Sequence, residues 1–369
     1  MKATTCNMQQ IRLLLLPIAW IYWIGVRIRN LLFDSGILKG YSPDIPTICV
    51  GNLAIGGTGK TPMTAYLSSL LHANYSIAVL SRGYKRKTKG FKIVNAESTV
   101  HEVGDEPLLI KLRQPDAIVA VDEDRMNGMV ELFYAYPELD AIILDDAFQH
   151  RWVKPGLNLL LTEYSNLYIH DFPLSAGRLR DSLSERKRAN IIIVTKCPED
   201  LTTDRCREIS AELKPNPNQT IYFTSLEYGM PQPVFSESAG KLQLTDTQPV
   251  FALAGIANPK PFVEYLRSQT ALLATKTFAD HHYYSEKEIK DIFKELDRST
   301  EQAVLVTTEK DAVRLQNLNL PEEIKKRIYY IPVSVKFLFN DSDNFNNQIL
   351  SYVRENKSDS SFHQGEGYH

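Results

Sequence analysis

The sequence is poor in cysteine and has no excess of charge of either sign. Only four of its 369 residues are cysteine, and they form neither a Cys-x-x-Cys pair nor another metal-binding spacing: Cys6, Cys49, Cys197 and Cys206. This pattern excludes a zinc ribbon and a disulfide framework, and it is typical of reduced cytosolic thiols. The 42 basic and 44 acidic side chains nearly balance. Nucleic-acid-binding proteins usually carry a basic excess or stripe, so the sequence predicts no nucleic-acid partner.

A hydrophobic run long enough to cross a bilayer is also missing. The uncharged stretch from Leu13 to Val26 has 14 residues, which as a helix cover about 21 Å of the roughly 30 Å hydrocarbon core. Aromatic residues such as Trp20 favour the membrane interface, and the flanking Arg12 and Arg27 suit anionic headgroups. We therefore predict a membrane-associated, interfacial helix in residues 1–33. A single membrane span and a helix packed on the protein's own core are the alternatives.

Short apolar runs alternate with helix-like segments through most of the chain. The runs are apolar on consecutive positions, as in strands that are buried on both faces of a parallel sheet. They form two series: first TICVGN, IAVLSRG, AIVAV, AIILDD, NLLLTEY, NIIIVTK and IYFTS, and then PVFALAGI, LLATKTF, AVLVTTEK and YYIPVSV. The alternation indicates an α/β fold with crossover helices.

The two series imply two domains, for which the chain is long enough. A stretch rich in Pro, Gly, Ser and Thr separates them and is interpreted as a linker. After the helix in residues 1–33, we predict a first α/β domain in 34–228, the linker in 229–248 and a smaller second α/β domain in 249–356. The polar tail, 357–369, is predicted to be disordered.

A glycine-rich turn follows the first apolar run, in the stretch VGNLAIGGTGKTP. Its backbone N–H groups and the start of the following helix would bind phosphate oxygens. Lys60 would reach the terminal phosphates, and the Thr61 hydroxyl would face Mg²⁺. Ala54 stands where the usual loop has glycine, so a structural glycine turn is the alternative. The predicted nucleotide-binding residues are Ala54, Ile55, Gly56, Gly57, Thr58, Gly59, Lys60 and Thr61.

Two adjacent carboxylates follow another apolar run, in the stretch DAIILDDAFQHR. Repulsion between Asp145 and Asp146 is relieved by a cation, so the pair predicts a metal site beside the loop. A helix start capped by an aspartate is the alternative. His150 and Arg151 add hydrogen-bond donors beside the acids. The stretch VTKCP after a later apolar run resembles a guanine-reading motif but lacks its aspartate, which favours adenine over guanine as the bound base.

Three further polar clusters are candidates for substrate contact or catalysis. Arg82 and Tyr84 belong to SRGYKR, which follows a strand. Parallel sheets bind ligands at this end of their strands, so the basic stretch suits an anionic substrate. A basic loop that faces only solvent is the alternative. Asp105 and Glu106 stand in the turn-like VGDEP, where an acid is more often structural than catalytic. His281 belongs to FADHHYY, in which a histidine next to an aspartate suits acid–base catalysis or phosphate contact. The alternative is a helix-capping aspartate that is followed by surface histidines.

These motifs occur together, and in the same order, in one family. The chain resembles the tetraacyldisaccharide 4′-kinases, the lipid A 4′-kinases of Gram-negative bacteria, in VGNLAIGGTGKTP, SRGYKR, GDEP, DDAFQHR, LSAGRLRDS, FADHH and TEKDAV. The family has a small residue other than glycine at Ala54, so the loop is the family's own form. The family usually reads Pro-Ala-Gly-Pro-Leu-Arg-Glu where this chain has Ser175 to Asp181. Lys85 also stands where glycine is common.

The resemblance implies a P-loop NTPase-like parallel sheet domain, a smaller second α/β domain that closes over the active site, and an N-terminal membrane-associated helix. It implies ATP and Mg²⁺ as cofactors. The γ-phosphate would go to the 4′-hydroxyl of a tetraacylated glucosamine disaccharide 1-phosphate, at the cytoplasmic face of the bacterial inner membrane. The implied partners are this acylated disaccharide lipid and the membrane surface, with no obligate protein partner.

The site residues divide into three groups. By resemblance Asp105 is the base and His281 its partner, and the predicted catalytic residues are Asp105, His281, Lys60 and Asp146. Thr61 and Asp145 are the predicted metal ligands. The predicted substrate-binding residues are Arg82, Tyr84, Glu106, His150, Arg180 and Asp181. A membrane-recruited P-loop NTPase switch without an acceptor is the alternative function, but it does not explain the Asp-His stretch or the basic cluster.

Overall fold

The computed structural model of the chain describes residues 20–174, 176–235, 242–300 and 302–357. Most of the predicted membrane helix, residues 1–19, lies outside the described residues. So does the predicted disordered tail after residue 357.

Strands and helices alternate along the described chain. The strands are β1 (Thr47–Asn52), β2 (Ile77–Ser81), β3 (Lys92–Ile93), β4 (Ile118–Val121), β5 (Ala141–Asp145), β6 (Leu157–Glu163), β7 (Ile191–Thr195), β8 (Thr220–Tyr228), β9 (Gln232–Pro233), β10 (Pro249–Ala254), β11 (Ala271–Thr277), β12 (Val304–Thr308), β13 (Ile328–Ile331) and β14 (Val333–Phe337). The helices are α1 (20–34), α2 (Lys60–His72), α3 (Val100–Val103), α4 (Asp105–Arg113), α5 (Arg125–Ala135), α6 (Thr203–Leu213), α7 (Lys260–Gln269), α8 (Glu286–Ser299), α9 (Glu309–Leu315), α10 (Glu322–Lys325) and α11 (Ser342–Asn356).

The larger sheet carries the phosphate loop at its centre. Nine described strands form it in the order β14-β8-β7-β6-β1-β5-β2-β4-β3. The neighbours from β8 to β4 are parallel, and the short edge strands β14 and β3 are antiparallel. One face packs against α5 and α6, and the other packs against α2, α4 and α11. The carboxyl ends of β1, β5 and β2 therefore meet at one edge, which is the usual ligand-binding edge of such sheets.

The smaller sheet has five described strands in the order β11-β10-β12-β13-β9. Helix α8 covers one of its faces with a stripe at helical spacing, Ile289, Ile292, Phe293 and Leu296. The helix starts at a capping box in which Ser285 and Glu288 bond each other's backbone N–H groups. Helix α7 covers the opposite face through Phe262 and Leu266.

The run YYIPVSV is not the single strand of the second domain that the sequence suggests. It contains β13 and β14, which belong to different sheets. Pro332 lies between them and has no N–H group to continue a ladder. Strand β14 pairs with β8, and α11 buries Phe345, Ile349 and Val353 against the larger sheet.

The predicted domain boundaries therefore need correction. Residues 333–356 belong with 34–228, and we call this unit the first body. The second body is residues 249–331, to which β9 of the predicted linker adds an edge strand. The chain crosses between the bodies twice at the same place, because the Gly229 N–H donates to the Pro332 carbonyl at 2.9 Å.

Helix α1 packs one face against the first body. Val26, Asn30 and Phe33 are buried on that face, and Asn30 donates a hydrogen bond to Asp181 at 2.8 Å. The Phe33 ring meets Trp152 edge to face. None of the helices in the described part of the chain combines the length and the apolar character that a membrane span requires.

Candidate active site

The phosphate loop connects β1 to α2. Gly56 and Gly59 have φ angles of +121° and +83°, a region that glycine enters without steric cost. Helix α2 begins at Lys60, directly after Gly59, and no side-chain hydrogen bond caps its start. The free N–H groups of its first turn therefore point at a place where an anion can bind.

Neighbouring segments hold this loop in shape. The Thr58 hydroxyl accepts a hydrogen bond from Asn52 at 2.8 Å, and the Thr58 carbonyl accepts one from the Thr195 hydroxyl at 2.9 Å. The Ile55 N–H donates to the Arg178 carbonyl at 2.7 Å. The loop is thus tied to its own strand, to the end of β7 and to the segment that contains Arg178.

Lys60 and Asp146 face each other beside the loop. Lys60 Nζ lies 3.7 Å from Asp146 Oδ2, and Arg180 donates both to Asp146 and to Asn52 Oδ1. Burial opposes ionisation of Asp146, but Lys60 and then Arg180 hold the pKa of its carboxyl at about 2. Asp146 also has a left-handed backbone with φ of +51°. Such a conformation costs about 1 kcal/mol and is typical of functional sites.

Asp145 is the buried partner of this carboxylate pair. It accepts hydrogen bonds from Thr64 at 3.0 Å and from Ser81 at 3.2 Å. Burial, and then the charge of Asp146, raise the pKa of Asp145 to about 6. A buried carboxylate that is penalised when ionised fits a site that a hard cation completes. Thr61, the other predicted metal ligand, is the second residue of α2 and is partly buried.

Asp105 and His281 meet across the two bodies. Asp105 is the first residue of α4 rather than part of a turn, and its Oδ2 lies 2.7 Å from His281 Nδ1. Burial opposes ionisation of Asp105, but hydrogen bonds from His281 and Arg314 hold its pKa at about 2. Lys310, which has only donors, lies 3.3 Å from His281 Nε2. Because the ionised Asp105 carboxylate can only accept, Nδ1 of His281 carries a proton, and Nε2 lies between Lys310 and Asp280 Oδ2 at 3.5 Å.

Glu106 lies beside this pair and is bound by Lys310 at 2.7 Å. Ligand atoms of Asp105, Glu106 and His281 lie within 4.8 Å of one another, a spacing that could hold a metal ion. Lys310 and Arg314 already supply positive charge to these carboxylates, so the cluster has less need of a cation than Asp145 has. Helix α4 packs against α2, and the charge of Glu106 acts to raise the pKa of Asp145 and of Lys60, so the cluster lies near the phosphate loop.

The predicted substrate residues lie on two sides of the cluster. The exposed ring of Tyr84 is centred 5.3 Å from the ring of His281. Arg82 and His150 line a depression of about 590 Å³, together with Trp152 and others. Burial, and then the charge of Arg125, lower the pKa of His150. Lys39, Glu123 and Asp124 also line the depression, so its charge is mixed.

Asp181 is not positioned for direct substrate contact. It is fully buried, and its Oδ1 accepts hydrogen bonds from Asn30 of α1 and from the Ser182 backbone N–H, both at 2.8 Å. Its neighbour Arg180 does reach the site, through Asp146. Asp181 instead connects α1 to the segment that holds the phosphate loop.

Arg314 and Lys310 are site residues that the motifs do not single out. The motif TEKDAV matches the family without a role for any one residue, and in the structure Thr308 caps the helix that begins there. The spacing of Lys310 and Arg314 could have identified them, because two cations four residues apart lie on one face of a helix. That face meets α4 and its acidic start.

The comparisons with known proteins agree over nearly the whole chain. A family model described as "Tetraacyldisaccharide-1-P 4'-kinase" matches residues 11–354. A curated protein named "Tetraacyldisaccharide 4'-kinase" from Bacteroides thetaiotaomicron is 43% identical over 96% of this chain and 97% of its own length. One of the same name from Flavobacterium johnsoniae is 42% identical over 95% of this chain and 99% of its own length.

A solved structure has the same fold. It is described as the "apo" form of LpxK from Aquifex aeolicus in complex with ATP. The match has a TM-score of 0.70 and 27% sequence identity, and it covers 93% of this chain and 99% of that one. The chain belongs to the tetraacyldisaccharide-1-phosphate 4′-kinase family.

Proposed function

We propose that the chain transfers the γ-phosphate of ATP to the 4′-hydroxyl of a tetraacylated glucosamine disaccharide 1-phosphate. One observation carries the proposal beyond family membership. An Asp-His pair contributed by the two bodies, Asp105 and His281, bonds at 2.7 Å beside the phosphate loop. A switch that only hydrolyses nucleotide would not require a second body to deliver a histidine to this place.

The chain's own residues divide the work of transfer. Lys60 and the free N–H groups at the start of α2 bind the phosphates and offset their charge. Asp105 accepts the proton of the 4′-hydroxyl as its oxygen bonds to the γ-phosphorus and the bond to the departing ADP oxygen breaks. His281 orients Asp105. Closure of the second body over the loop excludes water, which would otherwise compete as the acceptor.

A magnesium ion fits beside the loop. Asp145 and the Thr61 hydroxyl would hold it, since a buried carboxylate and a hydroxyl are the oxygen ligands that Mg²⁺ prefers. When bound, the ion offsets the negative charge of the transferring phosphate. Asp146 is paired with Lys60 and Arg180, so cations of the chain itself orient its carboxylate.

The depression near Arg82 and His150 fits the anionic part of the acceptor. Arg82 is exposed, and the side chain of His150 is turned toward this surface together with Arg82. A disaccharide 1-phosphate carries its negative charge away from the 4′-hydroxyl, so Arg82 and Lys39 of this depression would bind that phosphate apart from the phosphate loop.

We also propose that the protein works at the cytoplasmic face of the bacterial inner membrane. The outward face of α1 exposes Trp20, Ile21, Ile24, Ile28 and Leu31, and Leu31 is 64% exposed. The opposite face of the helix is covered by the first body. An apolar face that the protein leaves in solvent next to Arg27 and Arg29 suits an interfacial position. An acceptor with four acyl chains stays in the bilayer, so the enzyme has to come to it.

The test is incubation with γ-labelled ATP and the disaccharide 1-phosphate in mixed micelles, followed by lipid separation. Label in a lipid that has gained one phosphate supports the proposal, and a Lys60→Ala control should give none. Nucleotide hydrolysis that is equally fast with and without the lipid, with no labelled lipid, would favour the NTPase switch.

A further inference from the structure

The Asp105 carboxylate is held by one oxygen only. Its Oδ2 receives His281 Nδ1 at 2.7 Å, Arg314 Nε at 3.0 Å and Arg314 Nη2. No hydrogen bond from the described part of the chain reaches Oδ1. All the donors come from the second body, while Asp105 itself stands on the first. The second body therefore sets the direction in which the free oxygen points.

Arg314 is fixed from both ends. Its side chain is 1% exposed, and its Nη1 donates to the Gly255 carbonyl at 3.0 Å and to Asp311 Oδ1 at 2.8 Å. Asp311 is also fully buried and accepts hydrogen bonds from the Tyr284 hydroxyl and the Gly255 N–H, both at 2.9 Å. A buried guanidinium between two carboxylates cannot turn away without leaving charges unpaired.

We propose that Arg314 is a positioning residue for phosphoryl transfer: its guanidinium orients the Asp105 carboxylate so that Oδ1 faces the acceptor hydroxyl. This inference rests on the proposed function, in which Asp105 is the base. The planar guanidinium is suited to this role because Nε and Nη2 lie in one rigid plane and both donate to Asp105 Oδ2. A lysine ammonium offers no such fixed pair of donors. His281 alone would leave the carboxylate free to rotate about that single hydrogen bond.

The competing explanation is that Arg314 only joins α9 to α4. The two helices are held by ion pairs along their length, Asp105 with Arg314, Glu106 with Lys310, and Glu309 with Arg113. The Arg113 pair is a matched control. It joins the same helices at the other end, and Arg113 also donates to the Val333 carbonyl at 2.7 Å, but it does not contact Asp105.

The experiment compares Arg314→Met, Arg314→Lys and Arg113→Met in the full-length enzyme with ATP and the acyl disaccharide 1-phosphate. We expect Arg314→Met to lower kcat about 100-fold, the size of effect that a misplaced reacting group produces. Arg314→Lys should be intermediate, and the KM for ATP should change less than about threefold in both, because the loop is untouched. Arg113→Met should keep kcat within about threefold while lowering the thermal midpoint.

A second readout separates positioning from structure. Millimolar guanidinium should restore part of the kcat of Arg314→Ala and leave Arg113→Met unchanged. Wild-type kcat in Arg314→Lys and Arg314→Met, or equal losses of kcat in Arg113→Met and Arg314→Met, would overturn the inference. If Arg314→Met does not fold, the kcat of Arg314→Lys and the guanidinium rescue of Arg314→Ala test the inference instead. A wild-type enzyme that labels no lipid would instead overturn the proposed function, whatever the variants do.

Discussion

At the scale of single residues, Lys60 is the first residue of α2 and directly follows the glycines of the phosphate loop. It is largely buried, and burial lowers its pKa while Asp146 opposes that shift. Lys60→Ala should lower kcat by at least about 10²-fold, because the positive charge over the phosphates is lost. Alanine keeps the helix propensity of α2, so the fold should survive. Circular dichroism and lipid labelling check both points, and wild-type turnover by a folded variant would contradict the nucleotide assignment.

Asp105 and His281 should act as one unit. We expect Asp105→Ala and His281→Ala each to lower kcat by about 10²–10⁴-fold, with smaller effects on ATP affinity. The double variant should be little worse than the poorer single variant, because each loss already disables the pair. Steady-state kinetics of the three variants measures this. Fully multiplicative losses would mean independent roles, and a near-normal Asp105→Ala would move the base to Asp146.

Asp145 should destabilise the metal-free protein at neutral pH. Its pKa is raised from 3.8 to about 6, so the folded state loses stability as the pH rises through this window. Asp145→Asn should therefore stabilise the metal-free fold by about 3 kcal/mol at pH 7, and by less at pH 5. Thermal unfolding in EDTA at both pH values checks the sign. Added Mg²⁺ should stabilise the wild type more than the variant.

The residue pairs show what a sequence can and cannot provide. Asp105 and His281 could be paired in advance because the resemblance assigns them joint roles. Arg314 could not, since its partner Asp105 lies 209 positions away and nothing local marks it. Asp181 looked like a substrate contact because it follows Arg180, but only the packing of α1 shows that its carboxylate is already bonded.

At the scale of elements, the outward face of α1 should set membrane affinity. Replacing Ile24, Ile28 and Leu31 with glutamate should weaken vesicle binding by at least about tenfold, because three exposed apolar side chains that would enter the bilayer interface are lost and negative charge is added. ATP affinity should stay unchanged, since the face of α1 that contacts the first body is intact. Flotation with vesicles that contain anionic lipid measures the effect.

An exposed position on another element provides the control. Tyr134 of α5 is 82% exposed and lies far from α1 in sequence. Tyr134→Glu should leave vesicle binding as it is in the wild type. Equal losses in both variants, or none in the α1 variant, would place the membrane contact elsewhere.

Consecutive apolar runs identify the buried parallel strands well, because such strands have no polar face. Strands β1, β5, β6 and β7 lie where the runs predict them. Consecutive apolar runs do not identify the edge strands. Strand β14 alternates between partly buried and exposed positions, and its sheet is decided by Pro332 and by pairing with β8. Tertiary context therefore decides what local pattern leaves open.

At the scale of the whole molecule, the first body depends on the end of the chain. Removing residues 333–369 should prevent folding, since α11 alone buries Phe345, Ile349 and Val353. These side chains are worth about 5–9 kcal/mol together, comparable with the 5–15 kcal/mol that stabilises a whole domain. Removing only 358–369 should leave the thermal midpoint within a degree or two. Soluble expression and thermal unfolding of both truncations test the difference.

The two side-by-side connections at Gly229 and Pro332 have a kinetic consequence. The second body is connected to the first at two adjacent points, so it can rotate about the line that joins them but cannot move away or rotate freely. The two connections therefore keep His281 close to Asp105, at an effective concentration on the order of millimolar or higher. The Asp105–His281 pair should assemble equally well in dilute and concentrated solution. It should be lost if the second body is supplied as a separate chain.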